Sequence, residues 1–189
     1  MRPVILASQS PRRKTLLEWA EIPFEIIVQP TDESFPDGMR VEDVPVHIAI
    51  NKARAIVQPG RIVVAADTVV VLDETVIGKP AGREEAVDTL ARLSGRVHRV
   101  ITGVVVKEDE REEAFSDVTE VEFHELSDND IRFYVDKYAP YDKAGAYAIQ
   151  EWIGVRGIRR VSGDFYNVMG LPVNRLVQVL RRWDAASGG

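Results

Sequence analysis

The sequence predicts an α/β protein with a mixed sheet, and three observations carry that prediction. Ile62–Leu72 is an almost unbroken Val/Ala run, the pattern of a strand buried on both faces. Amphipathic helical stretches alternate with such apolar runs along the chain. Val97–Val106 and Phe115–Glu125 flank the acidic turn Glu108–Glu113 as the arms of a hairpin, which makes the sheet mixed rather than regularly parallel.

The elements follow in order. Val4–Ala7 reads as a strand. Ser10 is a good N-cap and Pro11 suits the first helical position, so Pro11–Ala20 reads as a helix with Leu16, Leu17 and Ala20 on its apolar face. Phe24–Val28 is a short strand, and Gln29–Arg40, with Thr31, Asp32, Glu33, Pro36, Asp37 and Gly38, is a loop. A helix spans Glu42–Val57. The long strand follows, then an amphipathic helix over Arg83–Leu93 that stops near Gly95. After the hairpin, Ser127–Tyr138 opens on a Ser-x-x-Asp cap and continues as a helix carrying Ile131 and Val135. Tyr147–Gln150 and Ile158–Val161 are short strand candidates, Leu171–Trp183 is a final helix, and Asp184–Gly189 is a frayed tail. Residues 1–183 form one domain, without internal repeats or a low-complexity linker.

Composition narrows the class of function. At 189 residues and 45% hydrophobic content the chain can bury a real core. A net charge of −6 argues against coating nucleic acid by bulk electrostatics, so basic residues must act locally. Without cysteine there is no disulfide, thiolate nucleophile or cysteine-ligated metal. His47, His98 and His124 show no metal-ligand spacing and read as structural. No apolar run approaches the ~20 residues that span a bilayer, and no signal-like segment opens the chain, so a cytoplasmic location without membrane contact is expected.

Three places break the apolar pattern with charge, and two turns carry further lysines. Ser8-Gln9-Ser10-Pro11-Arg12-Arg13-Lys14 leads from a strand into a helix start, where backbone N–H groups and the helix dipole favour an anion. Cations there are misplaced by roughly 0.3–1 kcal/mol each, so an arginine pair suggests a bound negative group; a solvated basic first turn is the alternative. Asp67 interrupts the most apolar strand of the chain. It needs a neighbouring cation or metal, or backbone N–H groups that satisfy it structurally. Lys52 falls in the helical row of Val44, Ile48 and Ile56, where an apolar residue is expected; it either faces a functional site or snorkels to solvent. Lys79 and Lys143 sit on turns, Gly78-Lys79-Pro80 and Asp142-Lys143-Ala144-Gly145. Glu33 suits a hard cation if the fold brings it to Asp67, whereas Glu108–Glu113 reads as a solvated hairpin tip. Carboxylates, isolated lysines and an arginine pair match what phosphoanhydride cleavage requires. Neither Gly-x-x-x-x-Gly-Lys-Ser/Thr nor Gly-x-Gly-x-x-Gly is present.

Ala7-Ser8-Gln9-Ser10-Pro11-Arg12-Arg13, Asn51-Lys52-Ala53, Ala66-Asp67-Thr68-Val69, Gly78-Lys79-Pro80, Thr102-Gly103, Asp142–Gln150 and Asn167-Val168-Met169-Gly170-Leu171-Pro172, in this order, resemble the Maf family of nucleoside triphosphate pyrophosphatases. The resemblance implies an α/β fold with an elongated mixed sheet flanked by helices and two lobes around a deep cleft, similar to inosine triphosphate pyrophosphatases. It further implies a divalent cation, Mg²⁺ or Mn²⁺, a nucleoside triphosphate substrate and a homodimer. By position, Asp67 resembles the catalytic base, Glu33 and Asp67 the metal ligands, and Ser8, Ser10, Arg13, Lys52, Lys79 and Lys143 the phosphate ligands.

Tyr147-Ala148-Ile149-Gln150 resembles the branch that acts on dTTP and UTP, in which Arg12, Thr68 and Gln150 select the base. A glutamine amide both donates and accepts, as the edge of uracil or thymine requires. Glu151-Trp152 and Thr31-Asp32 depart from the family's pattern. The implied reaction is attack of metal-activated water on the α-phosphorus, releasing the monophosphate and diphosphate. The implied cellular duties are removal of modified nucleotides and a part in cell-division arrest. The competing reading is a non-catalytic regulator of division or septum formation that binds nucleic acid or a protein partner through its basic helix start. Trp19 alone in the first twenty residues offers a stacking surface, which disfavours single-strand binding.

Overall fold

A strand with apolar residues at every position must be covered on both faces, and Ile62–Leu72 (β3) is buried throughout except at Asp67 and Thr68. The computed structural model describes residues 1–187. In chain order come β1 (Val4–Leu6), α1 (Pro11–Trp19), β2 (Phe24–Ile26), α2 (Val44–Arg54), β3, β4 (Thr75–Ile77), α3 (Arg83–Leu93), β5 (Val97–Glu108) and β6 (Arg111–Phe123). There follow α4 (Asp128–Tyr138), a 3-10 turn at Ala144–Ala146, α5 (Trp152–Gly157), β7 (Ile158–Ser162), α6 (Phe165–Met169) and α7 (Val173–Ser187). The strands form a seven-stranded sheet in the order β2-β1-β3-β5-β6-β7, with β4 also paired to β3. β1 runs parallel to β2 and β3, whereas β3–β4 and β6–β7 are antiparallel, so the sheet is mixed as predicted.

The chain divides into two compact units, each assembled from separated stretches. The first contains Met1–Asp67, Thr102–Asp117 and the chain from Gly170 onward. Its core joins α2 to the sheet through Ala49 and Ala53, with Ile56 just past the helix, against Ile5, Val63, Ala65 and Val105. Each large aliphatic side chain buried this way contributes about 1.5–3 kcal/mol. Only glycine permits this approach, because a Cβ on Gly103 would lie 2.3 Å from the Val46 nitrogen and 2.4 Å from the Pro45 carbonyl carbon. The hairpin tip itself, residues 109–111, is exposed as expected, and the acidic residues flanking it are paired: Glu108 with Arg2, Glu112 with Arg54 and Glu113 with Arg182, while Trp183 Nε1 donates to Glu113.

The second unit contains Thr68–Ile101 and Val118–Met169. Ala86, Leu90 and Leu93 of α3 and Ile131, Tyr134 and Val135 of α4 are buried there, and the two helices pack together. Ser127 caps α4 as predicted, its hydroxyl accepting the Asp130 N–H at 3.1 Å. His98, Phe123 and Tyr147 form a buried aromatic trio: the imidazole stacks on Phe123 with centroids 5.4 Å apart, and its Nε2 lies 2.7 Å from the Tyr147 hydroxyl.

The helices and long strands fall close to their predicted positions, and three differences are instructive. Tyr147–Gln150 is not a strand; it is a buried turn that follows the 3-10 segment. The final helix begins at Val173 and runs to Ser187, so Asp184–Ser187 continue it rather than fraying; Gly188 and Gly189 lie outside the described residues. β4, α5 and α6 have no counterpart in the sequence reading. Among the described residues no helix is long and apolar enough to cross a membrane.

Burial pushes the His98 imidazole down from its ordinary value to about 4. The unfolded chain therefore takes up this proton near pH 6.5 while the folded chain resists until about 4, and stability is lost as pH falls through that window. The expected contribution is about 3 kcal/mol between pH 7 and 4. Urea unfolding of the parent and His98→Gln at both pH values checks it: the variant must show the shallower pH dependence.

Candidate active site

The charge demanded by a carboxylate inside β3 is supplied from the neighbouring helix. Lys52 Nζ donates to Asp67 Oδ1 at 2.7 Å and meets Glu33 Oε1 at 2.8 Å. Side-chain exposure is 14% for Asp67 and 17% for Lys52 but 49% for Glu33, so a shielded pair is joined by a loop carboxylate that reaches in from solvent. Val44 and Ile48 are buried on α2 and Ile56 is buried just past its end, which explains why a lysine breaks their row: α2 turns that face inward, and Lys52 is the position that meets Asp67. The snorkelling and backbone-satisfied alternatives are thereby removed. Among the described residues no group of three or more Asp, Glu, His or Cys side chains converges as a closed metal cage.

Ser8, Ser10, Arg12 and Arg13 occupy the β1–α1 junction of the same unit. Arg13 is buried, its Nε donating to the Gly170 carbonyl at 2.8 Å and its Nη1 to Ser8 Oγ at 3.1 Å. Ser8 Oγ also accepts the Ser10 N–H at 3.2 Å. Desolvation lowers the Arg13 pKa from its usual value, while the Asp67 and Glu33 carboxylates act in the opposite direction. The solvated first turn is thus wrong for Arg13, which braces the junction from inside. Ser10 stands at the N-cap position of α1 but makes no side-chain capping bond, contrary to the sequence expectation. Arg12 is partly buried.

The remaining predicted residues lie in the second unit. Thr68 follows Asp67 directly on β3 and is partly buried. The two lysine turns are brought together, because the Gly145 N–H donates to the Gly78 carbonyl at 3.2 Å. Gly145 holds φ at +70°, and a Cβ there would fall 2.8 Å from Val70 Cγ2, so both the turn and its seat on β3 require glycine. Lys79 is exposed, whereas Lys143 is buried, with Nζ 2.7 Å from Asp142 Oδ1 and 3.8 Å from Glu151 Oε1. Gln150 is exposed at the end of the buried turn, immediately before α5.

Sequence reasoning missed Tyr134, whose hydroxyl donates to Glu151 and accepts the Ala148 N–H. Its spacing from Ile131 and Val135 already put it on the buried face of α4. It also missed the Gly170 carbonyl as the partner of Arg13.

The family model described as Maf-like protein matches residues 3–183. The chain belongs to the Maf-like family. Two relatives of this Maf-like protein, both named dTTP/UTP pyrophosphatase, are 47% identical over 183 residues in Bacteroides thetaiotaomicron and 48% identical over 184 residues in Porphyromonas gingivalis. The first alignment covers 95% of each chain, the second 94% of this chain and 92% of its relative. A HAM1 protein from Coxiella burnetii shares the fold at a TM-score of 0.52, with 21% identity over 96% of this chain and 100% of the other.

If Lys52 compensates Asp67 as the geometry indicates, the two residues are energetically coupled. A double-mutant cycle of Lys52→Met and Asp67→Asn, read by urea unfolding, should give a coupling of about 1–2 kcal/mol, with the double variant more stable than the sum of single losses implies. Simple additivity would show that the contact carries no stability.

Proposed function

We propose that this Maf-like protein hydrolyses dTTP and UTP to the nucleoside monophosphate and diphosphate. The observation that carries the reading is the Glu33–Lys52–Asp67 cluster: a carboxylate on a buried strand, held by an ammonium, beside a second carboxylate. The near-full-length relatives named dTTP/UTP pyrophosphatase supply the substrate class.

In this reading Asp67 is the base. A water oxygen attacks the α-phosphorus, the bond from that phosphorus to the bridging oxygen breaks, the water proton passes to Asp67, and diphosphate departs. Lys52 orients Asp67, and it offers its ammonium to phosphate oxygens. Ser8 accepts from Ser10 N–H and from Arg13, so its own hydroxyl proton is left to donate toward a phosphate, while Arg13 fixes it in place. Ser10, Lys79 and Lys143 add further donors for the polyphosphate, and Arg12, Thr68 and Gln150 read the base.

The donor chemistry fits a divalent cation. Glu33 and Asp67 present hard oxygens 2.8 and 2.7 Å from one positive atom, so the pair already converges on a cation. Mg²⁺ or Mn²⁺ held by one or two carboxylates takes its other ligands from water and substrate phosphates. When bound it supplies positive charge that offsets the polyphosphate and makes water more acidic.

A panel of nucleoside triphosphates with Mg²⁺, scored for diphosphate against orthophosphate, tests the reading. Diphosphate from dTTP and UTP, lost on chelation, is expected. Orthophosphate as the first product, or oligonucleotide binding without any diphosphate, overturns it. Asp67→Asn should remain folded and lose about 10²–10⁴-fold in kcat. Gln150→Glu should lower kcat/KM for dTTP and UTP more than for the other nucleotides, and an equal fall across the panel would remove Gln150 from base selection.

A further inference from the structure

The turn that ends in Gln150 is pinned on every side. Tyr147 is held by its hydroxyl at His98, 2.7 Å away. The Ala148 N–H donates to the Tyr134 hydroxyl at 3.2 Å, and the Glu151 N–H donates to the Ala148 carbonyl at 3.1 Å. Gly154 of α5 packs against Ile149, where a Cβ would come within 1.8 Å of the carbonyl oxygen. No side chain fits there, so α5 starts directly beneath the turn.

Within this frame one side chain does more than hold backbone. Glu151 accepts the Tyr134 hydroxyl proton through Oε2, and its Oε1 lies 3.8 Å from Lys143 Nζ. Tyr134 is fully buried on α4, so it fixes the carboxylate from inside the unit. Lys143 is 11% exposed at its side chain, shared between Glu151 and the largely exposed Asp142. The same carboxylate therefore touches the lysine assigned to phosphate and follows directly on the glutamine assigned to the base.

We propose that Glu151, oriented by Tyr134, is a positioning residue that couples Lys143 to the Gln150 turn, so that grip on the phosphates and selection of the base depend on one another. This rests on the dTTP/UTP pyrophosphatase reading for the roles of Lys143 and Gln150. Glu151 touches neither phosphate nor base in this scheme. It acts by setting where the ammonium and the amide stand, and errors of about 1 Å in such placement cost up to ~10²-fold in rate. The interdependence follows from geometry: moving the carboxylate toward Lys143 pulls on the residue next to Gln150, and releasing it from Tyr134 loosens both.

The test compares kcat and KM for UTP and CTP, which share a triphosphate and differ in the base edge, in the parent, Glu151→Gln and Tyr134→Phe, all with Mg²⁺. Glu151→Gln keeps an acceptor for Tyr134 but removes the charge facing Lys143; Tyr134→Phe keeps the charge but frees the carboxylate. Each variant should raise KM for UTP by about tenfold with a smaller change in kcat, and should lower the UTP-to-CTP ratio of kcat/KM by at least about fivefold. A merely structural role would reduce the active fraction and lower kcat for both nucleotides alike, leaving KM and the ratio unchanged. That result, or parent-like kinetics in either folded variant, overturns the proposal. If Glu151→Gln fails to fold, Tyr134→Phe reads the same two quantities and decides alone. A parent that releases no diphosphate from UTP refutes the functional reading itself, whereas an active parent with unaltered variants refutes only the coupling.

Discussion

Lys52 stands between two requirements that would otherwise conflict. β3 is buried on either side of Asp67, from Ile62 to Ala66 and from Val69 to Leu72, yet a carboxylate in such surroundings needs a compensating charge. α2 provides it from a helix whose other inward positions are apolar. Because Gly103 lets the start of α2 rest on the backbone of β5, the helix sits close to the sheet, and the lysine stem spans the distance to Asp67. Removing the ammonium would strand a poorly solvated anion, and removing the carboxylate would leave the shielded lysine with only the half-exposed Glu33 as partner. The two substitutions in the apolar pattern are thus one feature, and the site is built around it.

The regular elements were legible where side-chain periodicity alone decides structure. Ile62–Leu72 was readable to the residue because its burial on both faces ends where its apolar run ends. The cap at Ser127 was readable because the capping bond is local. Tyr147–Gln150 failed for a physical reason: Tyr147, Ala148 and Ile149 are buried as the apolar run implied, but burial does not say which groups satisfy the backbone. Here the Ala148 N–H goes to a tyrosine hydroxyl and its carbonyl to the Glu151 N–H three residues on. β4, α5 and α6 are each only three to six residues long, too short for a period to emerge from the sequence.

The site was legible as anomalies and illegible as partnerships. Lys52 and Asp67 each stood out against an apolar row, and their pairing needed the fold. Arg13 read as half of an arginine pair facing a bound anion or solvent at a helix start, since Arg12 and Arg13 are adjacent. A helix sends adjacent residues to different faces, and Arg13 turns inward to a carbonyl 157 positions away. No local signal carries that contact. Glu151 was visible only as a departure after Gln150, and its relation to Tyr134 and Lys143 is likewise tertiary.

The three charged groups at the centre are not equivalent, and their exposures assign them different parts. Asp67 and Lys52 sit on regular elements and are shielded, so their contact is geometrically fixed before any ligand arrives. Glu33 comes from the irregular stretch between β2 and α2, with half its side chain in water. An ion pair so exposed contributes at most about 1 kcal/mol, which is too little for stability to account for placing a third charge there. A carboxylate that returns little to the fold yet reaches the Lys52 ammonium beside Asp67 supports the proposed role of Glu33 as a ligand donor. In the proposed reaction Glu33 would leave Lys52 at small cost, so that the ammonium would be free for phosphate and the Glu33 oxygens for a metal ion. Asp67 and Lys52, both on regular elements, would keep their register, and the loop carboxylate would be the adjustable member.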